Sequence, residues 1–363
     1  MTALAESVAP PQTEPMPRRV LGRTGVEVTE LGFGGATIGR SPGQAMDRDA
    51  HATLETCWQL GVRYFDTAPW YGRGLSELRV GRLLRDRPRD QFVLSTKVGR
   101  ILRAPRDAHA TASSSMGLPF EVHFDYSYRG ILRAYEDSLQ RLGVPRIDLA
   151  IVHDLDLGYH APQARWDAFA AQLLTGGWQA LQELRAARLI SGIGIGINPL
   201  GMIPRFLELF EDIDFFLLAG RYTLMEQGAL DIELPSCVER GVSIVIGAVF
   251  NSGLLATGAV PGARYNYREA TPEELDKVAR IQAVCDRYAV PLQAAALQFP
   301  LAHPAVVSVI PGPVRPEEAH LNAQAVHHRI DPDLWGALKL EGLLREDAPT
   351  PDQRADSRHL EGS

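Results

Sequence analysis

The sequence predicts one α/β domain in which eight parallel strands, each followed by a helix, close into a TIM barrel. Two observations lead to this prediction. Eight short aliphatic or β-branched runs alternate with eight helical runs along the chain, and such alternation is typical of a parallel sheet that closes when it has eight strands. The length of 363 residues also fits one large barrel better than two small domains.

The elements follow one another with short gaps. Strand-like runs lie near residues 31–34, 62–66, 92–97, 147–152, 190–195, 213–218, 242–247 and 305–310. Helical runs lie at residues 48–60, 76–86, 127–142, 176–188, 200–209, 227–240, 273–302 and 315–326. A short β-hairpin around Gly22-Arg23-Thr24-Gly25 is predicted before the first strand. Ser76 with Glu77, and Thr271 followed by Pro272 and two glutamates, indicate helix starts.

An open, doubly wound sheet is the competing fold. It would require Gly-x-Gly-x-x-Gly after the first strand, with an acidic residue about 20 positions later. The run from Leu31 to Ala36 does not have this pattern. The run from Gly192 to Asn198 matches part of it, but we interpret this run as a strand whose glycines let another group approach the backbone.

Two long connections interrupt the regular alternation, at residues 99–125 and 250–271. They follow the third and the seventh strand, so both belong to the face of a barrel where the strands end. Long loops in a compact domain are usually functional. We therefore expect a lid or a specificity loop at residues 99–125.

Composition excludes several classes of site. The net charge of −7 argues against a nucleic-acid footprint, which requires a basic face. Cys57, Cys237 and Cys285 lie far apart and show no metal-binding spacing. They are expected to be buried thiols in a reducing compartment, and no metal site is predicted.

The two ends of the chain differ from the rest. Residues 1–17 are rich in proline and alanine, lack the features of a secretory signal, and are expected to be a disordered tail. Residues 18–345 are expected to form the single barrel domain, and residues 346–363 a polar tail. No run is long and apolar enough to span a bilayer. The expected location is the cytoplasm, with no membrane or nucleic-acid partner, as a monomer or homodimer.

Four reactive side chains occupy strand-end positions. Asp66, Lys97 and His153 each end a predicted strand, and Tyr71 follows Asp66 by one short loop. Because parallel strands of a barrel end around one mouth, these residues are predicted to lie together. A neighbouring ammonium lowers the pKa of a phenol, so Lys97, held by Asp66, could make Tyr71 an acid or base. Each residue alone also has a structural explanation, as a turn, packing or strand-end residue.

These positions carry a resemblance to the aldo-keto reductase superfamily, which extends from about Arg18 to Asn322. Its motifs are Gly32-Phe33-Gly34-Gly35, Phe65-Asp66-Thr67-Ala68-Pro69-Trp70-Tyr71, Ser95-Thr96-Lys97, Ser138-Leu139-Gln140-Arg141-Leu142-Gly143, Ile147-Asp148-Leu149 before His153-Asp154, and Val309-Ile310-Pro311-Gly312. The resemblance implies a (β/α)₈ barrel enzyme that moves a hydride between a nicotinamide cofactor and a carbonyl or alcohol. It also implies that Tyr71, Lys97, Asp66 and His153 are the catalytic residues.

Narrower motifs resemble the aldose dehydrogenase branch, which includes L-fucose (D-threo-aldose), L-galactose and pyridoxal 4-dehydrogenases. They include Phe124-Asp125-Tyr126-Ser127 and Phe250-Asn251-Ser252-Gly253-Leu254-Leu255. This implies oxidation of the C1 hemiacetal of an aldose to a lactone, with hydride transfer to NAD⁺. The alternatives are a pyridoxal 4-dehydrogenase, a general NADPH-dependent carbonyl reductase, and a non-catalytic regulatory subunit that binds the cofactor.

The resemblance also suggests binding residues. For the cofactor they are Gly35, Asp66, Asn198, Ser252, Gly253, Leu254, Gly312, Arg315, Glu318 and Asn322, and for a small-molecule substrate Trp70, Tyr71, His153, Phe250 and Asn251. NADPH-dependent relatives place Lys and Arg where this chain has Gly312 and Glu318, so NAD is the expected cofactor, with NADP as the alternative. A first-turn acid favoured by the helix dipole is the other explanation for Glu318.

Overall fold

A computed structural model describes residues 15–40, 44–107, 109 and 117–351 of the chain. The described strands are β1 (Arg18–Val20), β2 (Glu27–Thr29), β3 (Phe33–Gly34), β4 (Tyr64–Asp66), β5 (Val93–Val98), β6 (Arg100–Arg103), β7 (Glu121–Phe124), β8 (Leu149–His153), β9 (Gly192–Ile197), β10 (Phe215–Ala219), β11 (Ser243–Gly247), β12 (Arg264–Tyr265), β13 (Arg268–Glu269) and β14 (Val306–Ile310).

The described α-helices are α1 (Gln44–Gln59), α2 (Leu75–Leu84), α3 (Tyr128–Leu142), α4 (Leu157–His160), α5 (Gln163–Gln172), α6 (Trp178–Ala186), α7 (Met202–Leu209), α8 (Glu233–Arg240), α9 (Leu254–Thr257), α10 (Pro272–Arg287), α11 (Leu292–Leu301), α12 (Pro316–His327) and α13 (Asp333–Leu340). A short π-helix at Leu173–Gly177 joins α5 to α6.

Eight strands form the predicted parallel barrel, in the order β3, β4, β5, β8, β9, β10, β11, β14. The two ends of this sheet meet, because Leu31 pairs in parallel with Val309 and the Gly32 N–H donates to the Val309 carbonyl at 2.9 Å. All eight strands therefore end at one face of the barrel.

Side chains alternate between two hydrophobic cores, as the period of a strand requires. In β8, Leu149 and Ile151 belong to the core inside the barrel, whereas Ala150 and Val152 belong to the core under the helices. The glycines of β9 leave space for the side chains inside the barrel, since a Cβ at Gly194 would lie 2.5 Å from the Phe215 ring. The prediction that these glycines allow close approach is confirmed.

The predicted hairpin is also confirmed, and it closes the bottom of the barrel. β1 and β2 pair antiparallel. Leu21 and Val28 pack with the interior core, and the Gly22 N–H donates to Ser243 Oγ, at the start of β11, at 2.7 Å. The opposite end of the strands forms the open mouth of the barrel, where the predicted site residues lie.

Three predicted elements need correction, and some helices were not predicted. Residues 99–125 do not form one irregular loop, because β6 and β7 pair as a hairpin within them. The helical run 273–302 is two helices, α10 and α11, separated by Tyr288–Pro291, where Ala289 has a left-handed φ of 53°. Ser76 does not cap α2; its hydroxyl donates instead to the Gly35 carbonyl at 2.7 Å. Helices α4, α5, α9 and α13 were not predicted.

Two other local predictions, the helix start at Thr271 and the burial of the cysteines, are confirmed. Thr271 starts α10 with a capping box that includes Glu274. The three cysteines are buried and free. Within the described residues, no helix has the length and apolar character needed to cross a membrane, and no group of three or more His, Cys, Asp or Glu side chains is arranged to hold a metal ion.

The predicted tails lie mostly outside the described residues, which exclude 1–14 and 352–363. The described part of each tail contributes buried side chains. Met16 packs in the core under the helices, and Ala348 and Thr350 are also buried.

Candidate active site

The mouth of the barrel contains a buried ion pair between two predicted site residues. Asp66 ends β4 and Lys97 lies near the end of β5. Lys97 Nζ lies 2.6 Å from Asp66 Oδ2 and donates to the Thr67 carbonyl at 2.9 Å. Ser95 Oγ donates to Asp66 Oδ1 at 2.7 Å. Both charged groups are 2% exposed, so the pair is held in one geometry.

Tyr71 and His153 lie against this pair. The loop after β4 carries Tyr71, and Lys97 Nζ is 4.7 Å from the centroid of its ring. His153, the last residue of β8, meets the same ring edge-on, with centroids 5.8 Å apart and an interplanar angle of 88°. The structure thus brings together the four residues that the sequence pattern placed at one mouth.

The pKa of Tyr71 differs from the sequence-based expectation. Burial raises it well above the ordinary value, and Asp66, Asp154 and Tyr267 raise it further, whereas Arg100 opposes them. Lys97 was expected to lower this pKa, but the net shift is upward. The physical reason is that the phenolate would lose its hydration, and that Asp66, paired with Lys97 at 2.6 Å, repels its negative charge.

His153 is held in its neutral form. Burial lowers its pKa well below the ordinary value, and the positive charges of Arg100 and Lys97 lower it further. A neutral imidazole can donate one hydrogen bond without becoming a cation. The site therefore combines a protonated phenol with a neutral imidazole beside a fixed ammonium.

Four residues that the sequence reasoning did not assign to the site lie beside His153 or around its neighbour Arg100. The guanidinium of Arg100 is stacked near the rings of Trp70, Phe124 and Tyr159, at 4.8, 5.1 and 4.5 Å from their centroids. Of these three rings, only Trp70 was predicted to face substrate. The signal for Arg100 was available: it is a charge two residues beyond the strand that carries Lys97.

Asp154 is the fourth unassigned residue. It forms an ion pair with Arg100 at 2.6 Å and accepts a hydrogen bond from Asn198 Nδ2 at 3.1 Å. Burial raises the pKa of Asp154 to about 6, although Arg100 opposes this effect. Asn198, predicted to contact cofactor, therefore lies at the mouth with its amide directed to this carboxylate.

The loop after β11 carries a further group of predicted residues. Asn251 and Ser252 have left-handed φ values of 46° and 61°. The side chain of Asn251 is buried and donates to the Gly220 carbonyl at 3.4 Å, while its Oδ1 has no partner in the described structure. Phe250 is partly buried against the core.

A hairpin of β12 and β13 lies against the same loop. Ser252 Oγ accepts the backbone N–H of Tyr267, in the turn of that hairpin, at 3.0 Å. Gly253 has a φ of 102° and precedes α9, which begins at the buried Leu254. These residues form a compact turn whose backbone is shaped by left-handed positions.

The remaining predicted cofactor residues lie at the ends of β3 and β14. A Cβ at Gly35 would lie 2.6 Å from Ser76 Oγ and 2.7 Å from the Asp66 carbonyl oxygen, so close packing by itself requires glycine there. A Cβ at Gly312 would lie 2.7 Å from Thr37 Oγ1, a buried hydroxyl without a described partner.

Helix α12 and its N-cap carry the last three predicted cofactor residues, Arg315, Glu318 and Asn322. Glu318 Oε2 accepts the Val314 N–H at 2.7 Å. Arg315 is exposed at the start of this helix, and Asn322 is buried within it. The carboxylate of Glu318 therefore binds the N–H of Val314, which directly precedes Arg315, the N-cap residue of α12.

Comparison with known proteins agrees with this geometry. Over 339 residues the chain is 42% identical to the pyridoxal 4-dehydrogenase of Microbacterium luteolum, covering 90% of this chain and 98% of that protein. It is 38% identical to a D-threo-aldose 1-dehydrogenase of Pseudomonas sp over 333 residues, covering 90% of this chain and 97% of the relative.

A solved structure of an aldo-keto reductase from Bacillus halodurans superimposes with a TM-score of 0.70 at 25% identity, covering 93% of this chain and 99% of that one. The profile of the Aldo/keto reductase family matches residues 30–340, which include the barrel strands from β3 to β14 and the charged cluster at their ends. This chain therefore belongs to the aldo/keto reductase family.

Proposed function

We propose that this enzyme oxidises the C1 hemiacetal of an aldose to a lactone, with NAD⁺ as the hydride acceptor. The observation that carries the proposal is the arrangement of Tyr71 against the Lys97–Asp66 pair, with His153 edge-on to the same ring. These groups can hold and move a proton at one substrate oxygen, and a bound nicotinamide supplies the acceptor for the hydride.

The roles of the residues follow from their environments. His153, being neutral, donates to the substrate oxygen and orients it. Tyr71 exchanges the proton of that oxygen. Lys97 stabilises the phenolate after Tyr71 has lost its proton, because its Nζ cannot leave the position set by Asp66 and Thr67. Acid–base catalysis of this kind contributes about 10²–10⁴-fold in rate.

The elevated pKa of Tyr71 gives the direction of the pH dependence. Oxidation needs a phenolate that accepts a proton, and burial keeps the phenol protonated at neutral pH. The kcat/KM for oxidation should therefore rise as the pH increases above neutrality, while that for carbonyl reduction should stay nearly constant until the pH approaches the raised pKa of Tyr71.

The structure fits a nicotinamide cofactor along the edge formed by β3, β11 and β14. Two buried polar atoms there, Thr37 Oγ1 and Asn251 Oδ1, have no partner among the described residues. We assign Gly312, Ser252 and Asn322 to the holding of this group. Such unpartnered atoms are costly unless a ligand satisfies them.

The preference for NAD⁺ follows from charge. Glu318 lies in the first turn of α12 and accepts the N–H of Val314 just before it, so its carboxylate lies near the helix N-terminus, where an anion is favoured. A 2′-phosphate would meet this carboxylate, with the exposed Arg315 as the opposing charge. We expect Glu318→Gln to improve kcat/KM with NADP⁺ relative to NAD⁺, and a ratio that stays unchanged would contradict this role.

A pyridoxal 4-dehydrogenase is the second candidate. Trp70, Phe124 and Tyr159 surround Arg100 near His153, and aromatic side chains suit a pyridine ring. The relative at 42% identity carries that name.

One experiment separates the candidates. Turnover is followed by NADH absorbance with L-fucose, D-arabinose, L-galactose and pyridoxal, each with NAD⁺ and NADP⁺. The first proposal expects the highest kcat/KM with an aldose and NAD⁺, and a clear preference for pyridoxal would replace it. Tyr71→Phe should reduce turnover by about 10²–10⁴-fold while cofactor binding persists. If no substrate turns over while cofactor binds, the regulatory-subunit alternative would be favoured.

A further inference from the structure

An ion pair beside the proposed catalytic groups lies between Arg100 and Asp154. Arg100 Nη2 is 2.6 Å from Asp154 Oδ2, and the Arg100 side chain is 1% exposed. Asp154 directly follows His153, and the same Oδ2 atom lies 3.2 Å from His153 Nε2. One carboxylate oxygen therefore contacts a guanidinium and an imidazole together.

The carboxylate is fixed from its other side and through its backbone. Asn198 Nδ2 donates to Oδ1 at 3.1 Å, and the Asp154 N–H donates to the Gly196 carbonyl at 2.9 Å. Asp154 has a left-handed φ of 45°, a strained conformation for a residue with a side chain. Such strain persists where the surroundings hold the residue in place.

The guanidinium is fixed as well. The rings of Trp70, Phe124 and Tyr159 lie within cation–π distance of Arg100. In the described structure, its Nε and Nη1 groups are buried without a hydrogen-bond partner. The aromatic contacts offset part of this cost and leave Nη2 as the group that holds Asp154.

We propose that Arg100 and Asp154 are positioning residues that hold His153 as the neutral tautomer with its proton on Nε2, ready to donate to a substrate oxygen. This inference rests on the proposed function for the meaning of that proton. An ionised carboxylate only accepts hydrogen bonds, so the nitrogen that faces it must be the protonated one. His153 Nδ1 is then the unprotonated nitrogen, and it has no partner within the described residues.

The contact between His153 Nε2 and Asp154 can be exchanged for a contact between His153 Nε2 and a substrate oxygen. Charge-assisted N–H to carboxylate bonds are usually about 2.7–2.9 Å long, whereas this separation is 3.2 Å. The charged and titratable groups around the imidazole are Lys97, Arg100, Asp154 and Tyr71. The two cations oppose formation of an imidazolium, and Asp154 selects the tautomer.

The test uses ¹⁵N-histidine-labelled protein without substrate or cofactor, so its main readout does not need activity. The ¹⁵N shifts of the His153 ring, assigned with a His153→Asn variant, report which nitrogen carries the proton. We expect one tautomer, protonated on Nε2, in the wild type. We expect a mixture of tautomers in Asp154→Asn, because an amide can donate as well as accept.

Kinetics give a second readout. Asp154→Asn and Arg100→Met should each lower kcat by about tenfold to a hundredfold, near the lower end of an acid–base contribution, with an unchanged Kd for the cofactor. Arg100→Lys keeps the positive charge, so it should retain clearly more activity than Arg100→Met.

Asp148→Asn is the matched control. Asp148 immediately precedes β8, at the other end from Asp154, is also buried, and is paired with Arg89 at 2.6 Å. This variant should lose stability but keep kcat and the His153 shifts. If Asp148→Asn lowers kcat as much as Asp154→Asn does, the effect is general destabilisation and the proposal is overturned.

Two results distinguish this proposal from the proposed function. A single Nε2–H tautomer in both wild type and Asp154→Asn would overturn the positioning role, even if the enzyme oxidises aldoses. Failure to turn over any tested substrate would remove the proposed function, while loss of the tautomer in Asp154→Asn and Arg100→Met would still support the positioning pair.

Discussion

Replacement of Lys97 by Met tests whether the buried ion pair at the mouth is required for stability as well as for chemistry. The substitution removes the ammonium that lies 2.6 Å from Asp66 and leaves Ser95 as the remaining side-chain donor to that carboxylate. It also removes the donor to the Thr67 carbonyl. Met is close to Lys in length, so the packing is largely kept.

The magnitude follows from the burial of both groups, which are 2% exposed. Breaking a buried ion pair by removing one partner typically costs about 3–5 kcal/mol, whereas removing both charges is often nearly neutral. We therefore expect Lys97→Met to lower the free energy of unfolding by about 4 kcal/mol. The double variant Lys97→Met with Asp66→Asn should be more stable than Lys97→Met alone.

The same variant should change the dependence of stability on pH. Burial raises the pKa of Asp66 even in the presence of Lys97, and it will do so more strongly without the ammonium. A carboxyl whose folded-state pKa lies above its unfolded value stabilises the fold at low pH and loses this contribution as the pH rises through the folded pKa. Lys97→Met should therefore be more stable near pH 5 than near pH 8.

Urea unfolding, followed by circular dichroism at both pH values, measures these quantities for the wild type, both single variants and the double variant. Tyr71→Phe is the matched control, because it should lose activity without a comparable loss of stability. The reasoning is refuted if the double variant is less stable than Lys97→Met, or if the stability of Lys97→Met increases as the pH rises.

Two further predictions concern residues outside this pair. His303 Nδ1 accepts the Ala305 N–H at 3.2 Å, and burial lowers the pKa of His303 to about 4. The neutral His303 contributes to stability above the unfolded pKa of about 6.5, and this contribution is lost as the pH falls toward 4. The free energy of unfolding of the wild type should therefore fall by about 2 kcal/mol between pH 7 and pH 5 relative to that of a His303→Asn variant. An equal pH dependence of stability in the two proteins would contradict this. In the turn after Tyr71, a Cβ at Gly72 would lie 1.9 Å from the Gly39 carbonyl oxygen, so Gly72→Ala should cost about 3 kcal/mol or more and reduce activity. Gly241→Ala, with a similar φ of 64° and open space around it, should cost only about 1 kcal/mol, and equal melting temperatures for the two variants would show that the φ angle alone decides the cost.

Much of the fold was predictable because local signals and topology agree. The alternation of β-branched runs with helical runs indicated the eight barrel strands, and Thr271 marked a helix start by its own hydrogen-bonding chemistry. The break between α10 and α11 was missed because an apolar pattern continues across it. The β6–β7 hairpin was missed because its strands are separated by a long intervening segment, and pairing over such a distance leaves little local trace.

The candidate site was likewise predictable in part. By itself the sequence determined that Asp66, Tyr71, Lys97 and His153 share one mouth, because the parallel strand order turns distant strand ends into neighbours. The tertiary structure decided their electrostatics. It placed the partly buried Tyr71 near Asp66 and Asp154, so its pKa rises, and it set Arg100 and Asp154 beside His153. Order along the chain specifies which residues meet, whereas pKa values depend on hydration and on distances between charges, which exist only once the chain has folded.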